Sequence, residues 1–134
     1  MKPLSYLLDT NICVSILRGN VSTITRFQEV GIESCCISEI TVAELLYGAE
    51  CSANQKSNKS LVEEFCQDFR IIPIFETLET FAKEKARLRK EGQLIDDFDL
   101  LIGSAAKHYD MTLVTDNIKH LERIKIKIEN WLSH

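Results

Sequence analysis

No apolar run in this chain approaches the roughly 20 residues needed to cross a membrane. The opening Met1-Lys2-Pro3 runs straight into strand-like sequence and lacks the form of a signal peptide, so the expected location is cytoplasmic. No C-x-x-C pair occurs, which removes the zinc-ribbon and thioredoxin-type sites. The five cysteines (Cys13, Cys35, Cys36, Cys51, Cys66) are an odd number without framework spacing. Cys13, Cys35 and Cys36 lie in apolar surroundings and read as buried free thiols. The three histidines, His108, His120 and His134, show no metal-ligand spacing. There is no internal repeat and no low-complexity segment. A net charge of −4 weighs against a broad nucleic-acid-binding surface and leaves room only for a local basic patch.

What is present is an ordinary globular composition, 45% hydrophobic and 27% charged, at a length of 134 residues that suits one domain spanning 1–134. Strand-like and helix-like segments alternate. Residues 4–8 read as an apolar strand, 10–18 and 21–30 as helices stopped at Gly19 and Gly31, and 34–37 as a strand. Ser38 caps a helix running to about Cys51. The polar stretch 52–60 reads as a loop or the frayed start of a helix over 61–69. Residues 71–75 form a strand interrupted by Pro73, which belongs at a sheet edge. Helices follow over 77–90 and 97–109, the second with Phe98, Leu101, Ile102, Ala105, Ala106 and Tyr109 on one stripe. Residues 112–115 are a strand and 117–123 a short helix. Ile124, Ile126 and Ile128 alternate with Lys125 and Lys127, as a half-exposed edge strand would. The expected fold class is α/β, a mostly parallel sheet flanked by helices on both faces. Such sheets bind ligands at the carboxyl ends of their strands.

Four acids become interesting by that rule. Asp9 ends the first strand and Asp116 ends the strand "TLVT", so both face the same edge; each also reads as a plain helix N-cap. Asp99 lies in the first turn of the 97–109 helix, where a carboxylate favours the helix dipole. Asp96 and Asp97 are better placed as caps, which leaves Asp99 free for another task. Glu44 sits in "ISEITVAELLYGAE", residues 37–50, a helix apolar nearly all round and therefore expected to be largely buried. No lysine or arginine lies within one turn of Glu44, and an unpaired buried carboxylate is costly. Four acids on one edge repel one another unless a cation lies among them. Oxygen ligands without histidine or cysteine select a hard ion, Mg²⁺ or Mn²⁺.

The pieces "LLDTNI" (7–12), "ISEITVAELLYGAE" (37–50), "FDLLIGSAA" (98–106) and "LVTDN" (113–117) together resemble a PIN domain, and more closely the VapC toxin ribonucleases of toxin–antitoxin pairs. They come in family order and span nearly the whole chain. The resemblance implies a five-stranded sheet in order 3-2-1-4-5. It maps the family's acidic ligands and catalytic residues onto Asp9, Glu44, Asp99 and Asp116, with Asp116 the most variable of the four. Asp97 competes with Asp99 for the third position, and Asp99 is preferred because it directly precedes the apolar helix. The family commonly has alanine at the position of Gly103, a difference with no chemical weight. The resemblance further implies a homodimer, a VapB-type antitoxin partner and no membrane association.

The implied activity is Mg²⁺-dependent endoribonuclease cleavage of structured RNA, tRNA or rRNA, by metal-activated water attack on a phosphodiester. Thr10, Asn11, Thr115 and Asn117 flank the acids and read either as hydrogen-bond support for them or as local capping and turn residues. RNA also needs a cationic grip. Lys83, Arg87 and Lys90 share a helix face in "KEKARLRKEG" and are the candidates, against the plainer reading of a solvated charged helix. Lys85 and Arg89 point toward a dimer or antitoxin contact. Two rivals remain: a structure-specific DNA nuclease, for whose extra domains the chain has no room, and a degenerate metal-binding PIN module that acts through protein contacts without catalysis. A receiver domain or a haloacid-dehalogenase-type phosphatase would need further acids after the first strand, and Asn11 stands there instead.

Overall fold

The computed structural model of the chain describes residues 5–132. Five short strands carry the architecture: β1 (Tyr6–Leu8), β2 (Cys35–Ser38), β3 (Arg70–Ile72), β4 (Thr112–Val114) and β5 (Ile128–Glu129). They form a parallel sheet in the order β3-β2-β1-β4-β5. Seven α-helices connect them among the described residues: α1 (Thr10–Leu17), α2 (Val21–Val30), α3 (Glu39–Glu50), α4 (Gln55–Gln67), α5 (Leu78–Lys90), α6 (Asp97–His108) and α7 (Ile118–Leu121).

Successive strand residues point to opposite faces, and this alternation divides the interior into two cores. Leu7, Cys36 and Leu113 point to the core formed with Leu88 of α5 and Leu100, Ile102 and Ala106 of α6. Leu8, Ile37 and Val114 point to the other, with Ile12 of α1, Leu45 of α3 and Val62 of α4. A strand buried on both sides needs a continuous apolar run, which is why "LL", "CCI" and "LV" carry no alternating polar residues. Cys13, Cys35, Cys36 and Cys66 are buried free thiols and Cys51 is exposed. Burial pushes the Cys35 and Cys36 thiols up to about 12, so they behave as small apolar side chains.

Several expectations shift. Helix α4 begins at Gln55, so of the two readings of 52–60 the start of a helix holds from residue 55 on. Gln and Lys favour helix, and Asn58 Nδ2 donates to Ser52 Oγ at 2.9 Å, tying its first turn to the end of α3. Pro73 follows β3 rather than interrupting it, and β3 is an edge strand. β5 is an edge strand too, but only two residues long. Ile124 is buried in a 3₁₀ turn and Lys125 takes φ 57°, so pairing cannot begin where the isoleucine alternation does. Helix α3 is not buried all round: Tyr47 is 71% exposed, and Ala43 and Gly48 face solvent. In α6, Leu100 and Gly103 are buried while Phe98 and Tyr109 are largely exposed. A Cβ at Gly103 would collide with the Ile124 side chain, so this glycine has a packing role after all. No helix among the described residues is long and apolar enough to cross a membrane. Residue 4, Met1-Lys2-Pro3 and His134 lie outside the described residues.

Candidate metal centre and its cavity

The site begins with strand register. Leu8 of β1 pairs with Val114 of β4, so the next residues, Asp9 and Thr115, leave the sheet side by side. The Asp9 backbone N–H donates to Val114 O at 2.9 Å. Asp9 is only 3% exposed. Its Oδ1 accepts from the Thr10 backbone N–H at 2.8 Å, and its Oδ2 accepts from Thr115 Oγ1 at 2.7 Å. Asn11 Nδ2 stands 3.5 Å from the same Oδ2. Asp9 therefore caps α1 and faces the strand ends at once. Burial pushes its carboxyl up, and the hydrogen bonds from Thr115 and Thr10 oppose that only in part.

Glu44 arrives from α3, whose start is fixed by Ser38 Oγ accepting from the Ile40 N–H at 3.0 Å. Thr10 Oγ1 donates to Glu44 Oε1 at 2.6 Å and lies 3.1 Å from Thr41 Oγ1. Asp99 arrives from the first turn of α6. Asp96 is the cap of that helix, accepting from the Phe98 and Asp99 N–H groups at 3.0 and 3.4 Å. Asp97 is exposed and pairs with Lys85 at 2.9 Å. Asp99 instead turns inward, where Asn117 Nδ2 donates to its Oδ2 at 3.2 Å. Burial first, then the charges of Asp9, Asp96 and Glu44, push the Asp99 carboxyl up to about 6.

Asp9, Glu44 and Asp99 line one cavity of about 660 Å³, together with Thr10, Asn11 and Arg18. Asp116 stands at the end of β4, next to Thr115, but does not line this cavity. Its Oδ1 accepts from Asn130 Nδ2 at 2.9 Å, and its backbone N–H donates to Asn11 Oδ1 at 3.1 Å. Asn11 thereby bridges the ends of β1 and β4. Thr10, Asn11, Thr115 and Asn117 all hydrogen-bond to one or another of the acidic residues, beyond any turn role.

The basic face of α5 lies elsewhere. Lys83 pairs with Glu79 at 3.1 Å. Arg87 pairs with Glu84 and Glu91 and donates to Arg123 O at 2.7 Å. Neither they nor Lys90 line the cavity. The cation that does is Arg18, which the sequence reading passed over. The signal available for it was the helix stop Gly19-Asn20 directly after it.

The donor set suits a hard divalent cation. It is all oxygen, three carboxylates share one cavity, and no lysine or arginine among the described residues forms an ion pair with Asp9, Glu44 or Asp99. The carboxylates are held by threonine and asparagine donors, and among the described residues no three acidic, histidine or cysteine side chains form a ready-made metal cage.

The sequence from residue 6 to 127 matches the family model described as PIN domain. The chain is 36% identical to Ribonuclease VapC2 of Haemophilus influenzae over 132 residues, covering 96% of this chain and 99% of that one. It is 30% identical to the tRNA(fMet)-specific endonuclease VapC of Salmonella typhimurium, covering 96% and 98%. Its fold superposes on the crystal structure of DNA-bound VapBC from Salmonella typhimurium with a TM-score of 0.89 at 31% identity, covering 96% and 98%. A sheet in this order, acids gathered at its carboxyl edge and a match along nearly the whole length have one common reading: the chain belongs to the PIN domain family, with VapC ribonucleases as its relatives.

Proposed function

We propose that this chain is a single-domain, Mg²⁺-dependent endoribonuclease of the VapC type that cuts a structured RNA. The observation that carries the reading is the gathering of Asp9, Glu44 and Asp99, none of them ion-paired with a lysine or arginine among the described residues, around one cavity at the carboxyl edge of the sheet. Asp9, Glu44 and Asp99 are the residues that would hold the cation, with Asp116 at the end of β4 as the fourth candidate. A Mg²⁺ ion in their midst supplies Lewis acidity, activating the attacking water and neutralising charge on the phosphodiester; Mn²⁺ has the same oxygen preference. Thr10 and Thr115 hold Glu44 and Asp9 in fixed orientations, so little reorganisation is left for the moment of reaction. The near-complete burial of Asp9 keeps water from screening its charge.

The relative from Salmonella is named for cleavage of tRNA(fMet), which favours tRNA as the substrate class here. The Salmonella structural neighbour is a VapBC complex. A VapB-type antitoxin is accordingly the expected partner, with a homodimer as the expected assembly and the cytoplasm as the expected location. The exposed apolar side chains Leu17, Tyr47 and Leu61, beside the groove between α1, α3 and α4, supply a surface of the right chemistry for an apolar partner segment.

The test is incubation of the purified chain, free of antitoxin, with total bacterial RNA and Mg²⁺, beside EDTA and Asp9→Ala controls. Discrete fragments with 5′-phosphate and 3′-hydroxyl ends, lost in both controls, are the expected result. Intact tRNA and rRNA with a folded protein would overturn it and favour the non-catalytic metal-binding module.

A further inference from the structure

The cavity that must accept a polyanion is lined by three carboxylates and one cation, Arg18. A bound divalent ion offsets part of that charge, yet the RNA strand entering the cavity still needs a positive group at its rim. The α5 cations Lys83, Arg87 and Lys90 do not provide it, because none of them lines this cavity. Arg18 is exposed, and its side chain makes no ion pair or hydrogen bond among the described residues.

Its backbone is rigidly held. Helix α1 ends in a Schellman motif: Asn20 N–H donates to Ser15 O at 2.9 Å, and Gly19 N–H to Ile16 O at 3.0 Å. Gly19 sits at φ 82°, a region that favours glycine, and Asn20 at once caps α2 by accepting from the Thr23 N–H at 3.0 Å. A fixed corner therefore carries a free guanidinium. Asp9 caps the N-terminus of the same eight-residue helix, so the cation and the most buried acid are set by one rigid element.

We propose that Arg18 is a substrate-positioning residue that grips an RNA phosphate next to the one being cut. This rests on the ribonuclease reading above. An arginine suits the task because its planar fork meets a phosphate through two parallel N–H donors, whereas lysine offers a point charge. The competing account is that Arg18 merely complements the C-terminal end of the α1 dipole, which would affect stability and not substrate.

The experiment compares wild type, Arg18→Ala and Arg18→Lys on an RNA the wild type cleaves, with kcat and KM measured across a salt series. Arg18→Ala is expected to raise KM by about tenfold, the scale of one charge-assisted contact, with kcat within a few-fold of wild type. The slope of log(kcat/KM) against log salt should become shallower by about 0.7, one single-strand phosphate contact. Arg18→Lys should restore the slope and recover KM in part. An unchanged slope with a lowered melting temperature would overturn the proposal in favour of the dipole account. Loss of kcat at unchanged KM would overturn it as well. Anisotropy of a fluorescein-labelled RNA on Asp99→Asn, with and without Arg18→Ala, separates the two levels. Weaker RNA binding on loss of Arg18 in a chain whose wild type never cuts would sink the nuclease reading alone. Equal binding beside a wild type that does cut would sink the Arg18 assignment alone.

Discussion

Two carboxylates in this fold are almost equally hidden and are treated in opposite ways. Glu84, on α5, is 5% exposed; Asp9, at the end of β1, is 3% exposed. Glu84 has two cations, Arg87 at 3.2 Å and Lys107 of α6 at 3.0 Å. Burial alone would raise its carboxyl, but the hydrogen bonds and charges of Arg87 and Lys107 outweigh burial and hold it below the usual range. Asp9 has only neutral donors among the described residues, and burial, which these donors oppose only in part, pushes its carboxyl up. The first arrangement is complete within the chain and ties α5 to α6. The second has no counter-charge among the described residues, which is the condition the proposed metal site requires. Burial by itself does not mark a functional acid; burial without an internal counter-charge does.

The contrast breaks most visibly at Asp9. Asp9→Ala should lower RNA cleavage by about 10³-fold, about 4 kcal/mol in the barrier, while the chain stays folded by circular dichroism. Glu84→Gln should do the reverse, leaving cleavage near wild type but lowering stability by about 2 kcal/mol in urea unfolding. That is less than for a fully buried pair, because Arg87 and Lys107 remain partly in solvent. The sign with pH is fixed. A carboxyl lowered in the folded state stabilises above its unfolded value, so the Glu84→Gln deficit should disappear as acid carries the pH down through the folded value.

Smaller changes sharpen the same comparison. Thr10→Val removes the 2.6 Å hydrogen bond to Glu44 and should weaken Mg²⁺ binding about tenfold by titration calorimetry. The smallest expected effect is on stability at Asp99. Its carboxyl is raised to about 6, so its charge opposes folding above that pH, and the penalty fades as pH falls from 6 toward 4. Metal-free Asp99→Asn should therefore gain about 1 kcal/mol at pH 8, a figure reduced for its partial exposure, and nothing at pH 4. Mg²⁺ should stabilise the wild type at pH 8, and that increment should shrink in Asp99→Asn and below pH 6.

Much of this was legible in the sequence because it is written in local pattern. The continuous apolar runs marked strands buried on both faces, Gly19 and Gly31 marked helix ends at positive φ, and Ser38 marked the start of α3. The capping of α6 by Asp96 was legible too, and with it the freedom of Asp99 to face the cavity. What escaped was whatever depends on packing at a distance. Tyr47 is exposed although its helix is apolar in composition. Gly103 looked interchangeable with alanine until Ile124 was found against it. At the site, pattern could list basic residues on α5 but not that Lys83, Arg87 and Lys90 stand away from the cavity, or that Lys83 and Arg87 face nearby glutamates. It could not show that Asp116 leans toward Asn130.

The pairing of β1 with β4 has a consequence in time. Asp9 and Thr115 touch across 106 positions of sequence, and the site closes only when Leu8 finds Val114. At about 5–20 residues per second, a ribosome that has finished Asp9 needs roughly 5–20 s more before Thr115 is even made. Through that interval the nascent chain carries Asp9, Glu44 and Asp99 one after another, without β4 beside β1. A chain broken off before residue 115 has the three acids but lacks the Thr115 hydroxyl that holds Asp9. The setting of Asp9 is therefore a late event in synthesis, because the hydroxyl that holds it lies near the end of the chain.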